Sequence, residues 1–596
     1  QEIVKLLDVF NALQLTSFDE EAIKNVTIEA IEDALSKESV ILDGFIISML
    51  KEQLNKEPFS LNLHDDDFVE GEILKIVRAA KAMGITNFEA IEINPETLTI
   101  AQVTDAIDIG SIVINRVVAQ KIAEQLNVDI PEEKVNLAYY TVHRGETLLH
   151  PELSESEMNK MVQILGDLDD PEEPKQLTEL TEFEVDSFDI DQMITVVGHE
   201  SIIIHALISQ QIKDNETVKV PSRAYEDNDP ANQIKQNEIL GLLHSVKAGG
   251  IDNVGGLTSE VVDSITMEKL IAMIDVNSAI INATLSNQIL QVSNLTNEMN
   301  TLIVPDDALD STYEEIELAY IEINEVETKN LFIALKEGGI SKIDDLNTFS
   351  EQITLGNTRA MLFVDVGDPE KGTVSKIMHA TISSEIIKVY TSFEISVPDV
   401  AYLDVGSEYL KATEINSILN AIKTMDTSGN VDDHIRINSF TPGSTSTVGA
   451  SILKALLDEE SSLLDRMISK AVIKSNLATP QSMDGSEEDV KREELVNLAQ
   501  AMTYLGIESI EEFISQLSIN TIKGLEYEEF DEVIDVYKED NETFNERFEG
   551  LTIISEQIIT VFKDFTVFEA NGYNFEDEAT AKEDLQSAFN LLKLFP

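Results

Sequence analysis

Clusters of carboxylate side chains are the residues in this chain whose possible chemistry is easiest to name. They are Asp65, Asp66 and Asp67; Asp167, Asp169 and Asp170; Glu226, Asp227 and Asp229; and Asp432 and Asp433. Calcium takes about six to eight oxygen ligands, so each cluster is a candidate calcium site. None has the spacing of an EF-hand loop, and in segment 426–430 the glycine comes too early. We expect solvated acidic loops, with calcium binding as the alternative.

The remaining chemistry-bearing residues do not form a recognisable catalytic or metal motif. The eight histidines are His64, His143, His150, His199, His205, His244, His379 and His434. They include no HExxH pattern and no paired ligand spacing, which argues against zinc. The chain has no cysteine, which excludes disulfides, thiolate catalysis and Cys-ligated metals. No glycine-rich phosphate loop occurs, because Gly249-Gly250 and Gly338-Gly339 have the positions of helix ends. We therefore assign no catalytic, cofactor-binding or metal-binding residue and predict that the protein is not an enzyme.

Two polar positions recur inside apolar segments that begin with a serine. Four residues after the serine stand Asp43, Asn115, His205, Asn282, His379 and Asp465. A repeated ligand position is one interpretation, and a buried hydrogen bond to neighbouring backbone is the other. We favour the hydrogen bond, because it accepts Asp, Asn and His alike whereas a single metal would not. Eight residues after the serine stand Ala119, Ser209, Ser286, Ser383 and Ser469, which we interpret as small residues that permit close helix packing.

These positions belong to a repeat, and the repeat is the main organising feature of the chain. Eight copies each open on an acidic residue, and the openers are Glu2, Glu72, Glu157, Glu238, Glu327, Glu414, Glu494 and Asp584. A period of 70 to 90 residues indicates a tandem series of small modules. The predicted module boundaries are 1–71, 72–156, 157–237, 238–326, 327–413, 414–493, 494–583 and the start of an eighth module at 584–596.

Each copy begins with a segment predicted to be an amphipathic helix. Apolar residues stand at offsets 1, 4, 5 and 8 from the opener, as in Ile73, Ile76, Val77 and Ala80. Four copies end this segment on Gly-Ile, at Gly84, Gly250, Gly339 and Gly506. Glycine there predicts a left-handed helix cap, with the isoleucine packing back on the helix. Copies three and six have Asp169-Asp170 and Asp426-Thr427 instead, so their caps must differ.

A second, more apolar segment follows about 40 to 50 residues after each opener. Six versions begin with a serine suited to capping a helix, at Ser39, Ser111, Ser201, Ser278, Ser375 and Ser461. The seventh, near Leu551, has lost this start. We predict a buried central helix in each module, with one or two short helices before it, for example within 88–106 or 254–273.

Aliphatic runs that meet a proline follow the central segment and connect it to the next copy. They end at Pro131, Pro221, Pro305 and Pro398. A residue before proline avoids the helical region, so these runs are predicted to be extended, with short edge strands as one alternative. The predicted fold class is therefore mainly α: an elongated tandem array of about seven modules, each with three to four helices and a short extended connector.

Composition restricts the partners of such an array. The net charge is 42 − 111 = −69, which opposes binding to nucleic acid and leaves divalent cations or basic surfaces as possible partners. No apolar run is long enough for a transmembrane helix. The chain starts one residue before an opener and stops 12 residues into another copy, so we expect a window from a longer array.

Three functions fit this organisation. The first is a structural or adhesive protein of the cell surface, and in organisation the chain resembles the giant helical-repeat adhesins and stalk proteins of Gram-positive bacteria and their wall-less relatives. The second is a self-assembling filament, sheath or surface-layer subunit that uses strand addition and divalent cations. The third is an intracellular α-solenoid scaffold. The expected partners are neighbouring repeats or further copies of the chain, and the scaffold would add partners bound on a concave face.

Overall fold

Helices make up most of the protein in the computed structural model. The structure describes residues 2–15, 22–23, 25–55, 63, 67–69, 71–87, 98–125, 139–140, 152–168, 188–295, 302–309, 322–348, 355–363, 375–404, 407–425, 448–480, 482–484, 489–534, 553–564, 566–573, 575 and 578–594. The chain divides into two compact units: Gln1–Ile265 with Lys269–Gln288, and Thr266–Glu268 with Ile289–Pro596.

The α-helices, in chain order, are α1 Glu2–Leu13, α2 Ile28–Leu35, α3 Val40–Leu54, α4 Glu72–Ala82, α5 Ile100–Asp108, α6 Ile112–Gln125, α7 Glu155–Leu168, α8 Ile190–Gly198, α9 Ile202–Asp214, α10 Gln236–Gly249, α11 Ser259–Ser264, α12 Met267–Ile274, α13 Ala279–Leu295, α14 Glu325–Glu337, α15 Leu355–Phe363, α16 Lys376–Ser392, α17 Ala412–Met425, α18 Ala450–Asp458, α19 Ser462–Lys474, α20 Arg492–Leu505, α21 Phe513–Gln516, α22 Ile519–Gly524, α23 Tyr527–Ile534, α24 Ile553–Lys563, α25 Thr566–Ala570 and α26 Glu578–Leu592. The described strands are β1 Tyr139–Tyr140 and β2 Glu152–Leu153, which pair antiparallel. The prediction of a mainly α-helical protein is confirmed.

Three kinds of helix recur along the chain. The opener helices, which carry the acidic openers, are α1, α4, α7, α10, α14, α17, α20 and α26. The middle helices are α2, α5, α8, α12, α15, α18 and α23. The serine helices, which begin at or beside the head serine where one is present, are α3, α6, α9, α13, α16, α19 and α24.

The opener helices end as the Gly-Ile pairs predict. Gly84, Gly250, Gly339 and Gly506 have φ angles of 79°, 71°, 81° and 67°, a conformation that costs glycine nothing. The following isoleucine donates its amide to the carbonyl five residues back, as from Ile340 to Leu335 at 2.9 Å. This is the 6→1 bond of a Schellman cap, and it closes the helix end while the isoleucine side chain is buried. The alternative caps at 169–170 and 426–427 lie outside the described residues.

Opener and middle helices pack against one another within each unit. In the first unit, α2 packs against α1 and α4, α5 against α4 and α7, and α8 against α7 and α10. In the second unit, α15 packs against α14 and α17, α18 against α17 and α20, and α23 against α20 and α26. Each of these middle helices therefore buries its apolar side between the opener helix of its own copy and that of the next copy.

A backbone hydrogen bond joins consecutive copies at three contacts along the chain. The amides of Ile28, Ile190 and Met267, at the starts of middle helices, donate to carbonyls of the following copy at 2.8–2.9 Å. The acceptors are Thr86, Asp252 and Ser341, each 14 residues after its opener. Each bond satisfies a backbone donor that the helix itself leaves open at its first turn.

The same three contacts carry an ion pair at equivalent positions. A lysine nine residues after the opener meets an acidic residue, the second residue of the preceding middle helix. The pairs are Lys81–Glu29 at 3.4 Å, Lys247–Asp191 at 2.5 Å and Lys336–Glu268 at 2.9 Å. These side chains are substantially exposed, so the pairs favour the correct neighbour and alignment more than they stabilise the fold.

The connectors follow one backbone plan, which differs from the edge strands considered above. After the proline, a 3₁₀ turn covers Ser222–Ala224, Asp306–Ala308 or Asp399–Ala401. The next residue then forms an isolated bridge with the residue four before the coming opener, as in Tyr225 with Ile234 and Tyr402 with Leu410. The prolines that end three of the runs have extended backbone angles, and these runs belong to no described strand. The run ending at Pro131 lies outside the described residues.

Candidate functional site

The acidic opener and the head serine meet in every copy that has both and lies in the described residues. The serine Oγ donates to the opener carboxylate, and the distances are 2.7 Å for Ser39–Glu2, 2.7 Å for Ser111–Glu72, 2.5 Å for Ser201–Glu157, 3.4 Å for Ser278–Glu238, 2.6 Å for Ser375–Glu327 and 2.5 Å for Ser461–Glu414. We call this pair the carboxylate–serine node. It ties the opener helix to the serine helix of the same copy.

The node caps the serine helix with two side chains. In the fifth copy the carboxylate of Glu327 accepts the amide of Ile377 at 3.0 Å, and Ser375 Oγ accepts the amide of Met378 at 3.2 Å. The third and sixth copies repeat both bonds. The N-terminus of a helix has free amides and a partial positive charge. A carboxylate there is stabilised both by hydrogen bonds to the amides and by attraction to that charge. The helix-capping role predicted for the head serines is confirmed.

The carboxylates of several nodes are almost completely buried. Glu72 and Glu157 are at most 1% exposed, and Glu327 and Glu414 are 6% exposed. A buried carboxylate is costly unless donors surround it. The serine hydroxyl and one helix amide supply donors to one carboxylate oxygen, as at Glu72, whose second oxygen has no hydrogen-bond partner among the described residues.

The first and seventh copies show what the serine contributes. In the first copy, the hydrogen bond from Ser39 lowers the pKa of Glu2, which lies near the surface. In the seventh copy Leu551 stands where a serine is expected, although that residue lies outside the described part of the chain. There Glu494 accepts the amide of Ile553 at 2.9 Å, no serine among the described residues donates to it, and burial raises its pKa. The pKa is thus lowered at the exposed carboxyl beside a head serine and raised at the buried carboxyl that has none.

The head serines of the node are too buried to act as nucleophiles. A serine that donates to a carboxylate resembles a nucleophile beside a base. However, the six head serines are at most 3% exposed, so a substrate cannot reach their hydroxyl groups. Each hydroxyl is also already occupied as both donor and acceptor. The arrangement can hold two helices together, and it offers no open position for a reacting group.

The polar position four after the head serine reaches the connector or the next opener helix where its contacts are resolved. His379 Nε2 lies 2.7 Å from the carbonyl of Leu410, and burial lowers the pKa of this histidine. Asp465 accepts from Arg492 at 2.5 Å, although burial still raises the pKa of that carboxyl. Asp43 is half-buried with a raised pKa from the same cause. The hydrogen-bonding interpretation is supported at His379 and Asp465.

The position eight after the head serine does more than permit close packing. Ser209 Oγ accepts the amide of Ile234 at 2.8 Å, Ser383 that of Leu410 at 2.6 Å, and Ser469 that of Val490 at 2.7 Å. Each donor is the residue four before the next opener. The packing interpretation was therefore incomplete, because these hydroxyls hold the connector. In the fifth copy His379 and Ser383 together satisfy both backbone groups of Leu410.

Several acidic residues proposed as calcium ligands have basic neighbours or form turns. Asp167 lies 2.6 Å from His199 Nε2, and Asp67 lies 4.0 Å from Arg116. Asp229 accepts the amide of Ala231 within a tight turn. Asp65, Asp66, Asp169, Asp170, Asp432 and Asp433 lie outside the described residues, as do His64, His143, His150 and His434. Within the described ranges, no three His, Asp or Glu side chains are grouped so as to hold a metal ion.

A hollow of about 160 Å³ beside the node of the third copy is lined in part by His205, Glu200, Glu226 and Gln236. Ligand pockets usually have about 300–1,000 Å³, so this space is small for an organic ligand. It contains no cluster that would hold a metal within the described residues.

Sequence reasoning found the members of the node and missed the pairing. The acidic openers and the head serines each recur along the chain, and the separation between them varies only from 37 to 48 residues. An acidic opener followed by a head serine within this range recurs in six copies. That joint recurrence was the signal that could have predicted the contact between the two side chains.

No protein-family model, curated protein or solved structure matches this chain. Among the described residues, no helix combines the length and the apolar character needed to cross a lipid bilayer.

Proposed function

We propose that this protein is a non-enzymatic structural protein in which about seven tandem helical modules form an elongated support at the cell surface. The observation that carries the proposal is the recurrent carboxylate–serine node. Polar side chains that recur in six copies are used to join helices, and they leave no open chemical site. A contact that joins helices in each copy makes a long chain rigid, and a stalk or adhesin needs a long and rigid chain.

Contacts between copies support the same proposal. Backbone bonds and ion pairs at equivalent positions link the first copy to the second, the third to the fourth and the fourth to the fifth. Modules linked this way resist bending more than modules on free linkers would. The net charge of −69 keeps such a chain soluble and favours cations or basic surfaces as its external partners.

Small-angle scattering tests the proposal. Seven modules in line, each with the length of a helix of about 15 residues, would span about 150–250 Å. A rod of that length has a radius of gyration of about 43–72 Å, whereas a compact chain of 596 residues has one of about 25 Å. Measurements in high salt control for expansion by self-repulsion. A radius near the compact value in high salt would refute the proposal.

A partner-binding scaffold of the α-solenoid type is the second candidate. The packing of middle helices between successive opener helices favours it, because solenoid proteins stack their repeats in this way. Protease treatment of intact source cells separates the two: cleavage from outside favours the surface support, and protection until lysis favours an intracellular scaffold. The filament alternative has less support, because backbone amides in two connector runs, at Lys219 and Ile303, already donate to threonine side chains.

A further inference from the structure

The hollow of about 160 Å³ beside the node of the third copy, which we call the third-copy hollow, has a counterpart in the sixth copy. Its lining includes His205, four residues after the head serine, Val197, four before that serine, and Gln236, two before the next opener. The residues at these positions in the sixth copy are Asp465, Leu457 and Arg492. The same place in the fold can therefore be compared with two sets of side chains.

An arginine guanidinium occupies this place in the sixth copy. Arg492 donates from Nη1 to the carboxylate of Asp465 at 2.5 Å and from Nη2 to the carbonyl of Leu457. In the third copy, Gln236 donates from Nε2 to the equivalent carbonyl, that of Val197, at 3.0 Å. Glutamine is shorter than arginine and uncharged, so it makes the backbone bond and leaves space beside it. The sixth copy thus shows which chemical group such a place accepts.

Carboxylates stand at equivalent positions around the two places. Glu200, the residue before the head serine, lines the third-copy hollow and is exposed, as is its counterpart Glu460. Glu226 lines it from the connector, and its counterpart is Asp484, because each follows the residue that forms the connector bridge. Lys160 donates to the backbone carbonyl of Glu200 at 2.8 Å rather than to its carboxylate. The third-copy hollow therefore offers strong acceptors for a cationic donor.

The rest of the lining suits the flat face of a guanidinium. Val196, Val197 and Ile204 are at most 5% exposed and form an apolar wall. A guanidinium is planar and weakly hydrated, so its face can lie on apolar side chains while its edge donates to carboxylates. His205 replaces Asp465, and a neutral imidazole nitrogen can accept one of those donors. An ammonium group is a compact, strongly hydrated charge, so it uses an apolar wall less well.

We propose that the third-copy hollow binds a guanidinium group, which an arginine side chain of a partner protein presents from outside. Pockets for whole organic ligands usually have about 300–1,000 Å³, whereas the end of one side chain needs less space. A basic partner also suits a chain with a net charge of −69. Binding at this place does not require an elongated chain, so the scattering test and the binding test can fail independently.

Fluorescence anisotropy can measure this binding without background, because the chain contains no tryptophan. The probe is the peptide acetyl-Gly-Arg-Gly-Trp-amide, titrated with the full chain under excitation selective for tryptophan. Matched peptides carry lysine or citrulline in place of arginine, and citrulline has the shape of arginine without its charge. We expect both to bind at least about fivefold more weakly than the arginine peptide. Arginine amide should displace the bound peptide, and citrulline amide should not.

Variants locate the binding on the chain. Gln236→Arg supplies the sixth-copy guanidinium from within, so it should weaken binding of the arginine peptide by about tenfold or more. Glu200→Gln removes an exposed carboxylate and should weaken binding about two- to fivefold. It covers the case in which Gln236→Arg disturbs the fold. Glu460→Gln, at the equivalent position of the sixth copy, is the matched control and should change binding by less than about 1.5-fold.

Three results would overturn the proposal. One is that the full chain does not bind the arginine peptide. Another is that arginine and lysine peptides bind equally, or that neither amide displaces the peptide. The last is that Glu200→Gln and Glu460→Gln have equal effects, because the peptide is then held only by the net charge of the chain.

Discussion

Removing one head serine should weaken a whole serine helix, and Ser375→Ala is the most informative case. Ser375 is 0% exposed and donates to Glu327, which is 6% exposed, at 2.6 Å. The substitution deletes this bond and also the acceptor for the amide of Met378. The carboxylate is left with the amide of Ile377 and becomes like Glu494 of the seventh copy.

The expected loss follows from these two contacts. Loss of a helix-capping serine costs about 1 kcal/mol. Loss of a hydrogen bond to a buried charged group costs about 1.5–3 kcal/mol. Because the two effects overlap, we expect a local destabilisation of about 2–4 kcal/mol in α16. At about 1.4 kcal/mol for each factor of ten, amide exchange in that helix should accelerate by about 30- to 700-fold.

Hydrogen exchange read by mass spectrometry over residues 376–392 is the appropriate assay, because it reports local opening in a protein of two units. Ser392→Ala is the matched control. That serine ends the same helix, is exposed, and bonds only to the carbonyl of Val389 three residues back. If Ser375→Ala and Ser392→Ala change the exchange rate by the same factor within about threefold, the node contributes nothing beyond an exposed serine.

Five further predictions follow from the described contacts and the carboxylate clusters. Glu494→Gln should raise the Tm at neutral pH, because burial raises the pKa of that carboxyl; the gain should vanish as the pH falls toward the ordinary 4.5. Glu2→Gln should lower the Tm at neutral pH, because the head serine lowers the pKa of that carboxyl, and the difference should vanish only below 4.5. His379→Asn should remove a loss of stability that the natural chain shows as the pH falls below 6.5, because burial lowers the histidine pKa; an identical pH profile would contradict this. In urea titrations, Gly338→Ala should cost about 1–3 kcal/mol, because a Cβ there overlaps a buried methionine side chain, whereas Gly198→Ala, with open space, should gain about 0.5–1 kcal/mol. A chelator should leave the Tm unchanged if the carboxylate clusters are solvated, and a lowered Tm would show bound cations instead.

Local signals in the sequence predicted the helices well. The stripe that includes Ile73 and Ile76 predicted an opener helix, and Gly339-Ile340 predicted its cap, because both features depend on residues within one or two turns. The head serines predicted helix starts for the same reason. A short-range pattern is enough when the interaction itself is short-range.

Contacts between distant segments were beyond the same reasoning. Glu327 and Ser375 are 48 residues apart, and nothing in either segment alone indicates that a carboxylate will leave its own helix to cap another. The role of Ser383 was also underestimated, because its partner Leu410 lies in a connector whose path is set by a proline turn. The extended connectors resembled edge strands because their aliphatic residues suit both a strand and a run laid across a helix.

The bonds from three middle helices to carbonyls 14 residues beyond the next opener have a consequence for how such a chain can change its length. A cut placed at an opener leaves Ile28, Ile190 or Met267 without the acceptor that the following copy supplies. An insertion between opener and acceptor shifts the two partners out of phase. Gain or loss of one whole copy keeps each donor in register with its acceptor. The length of this protein should therefore change by whole copies.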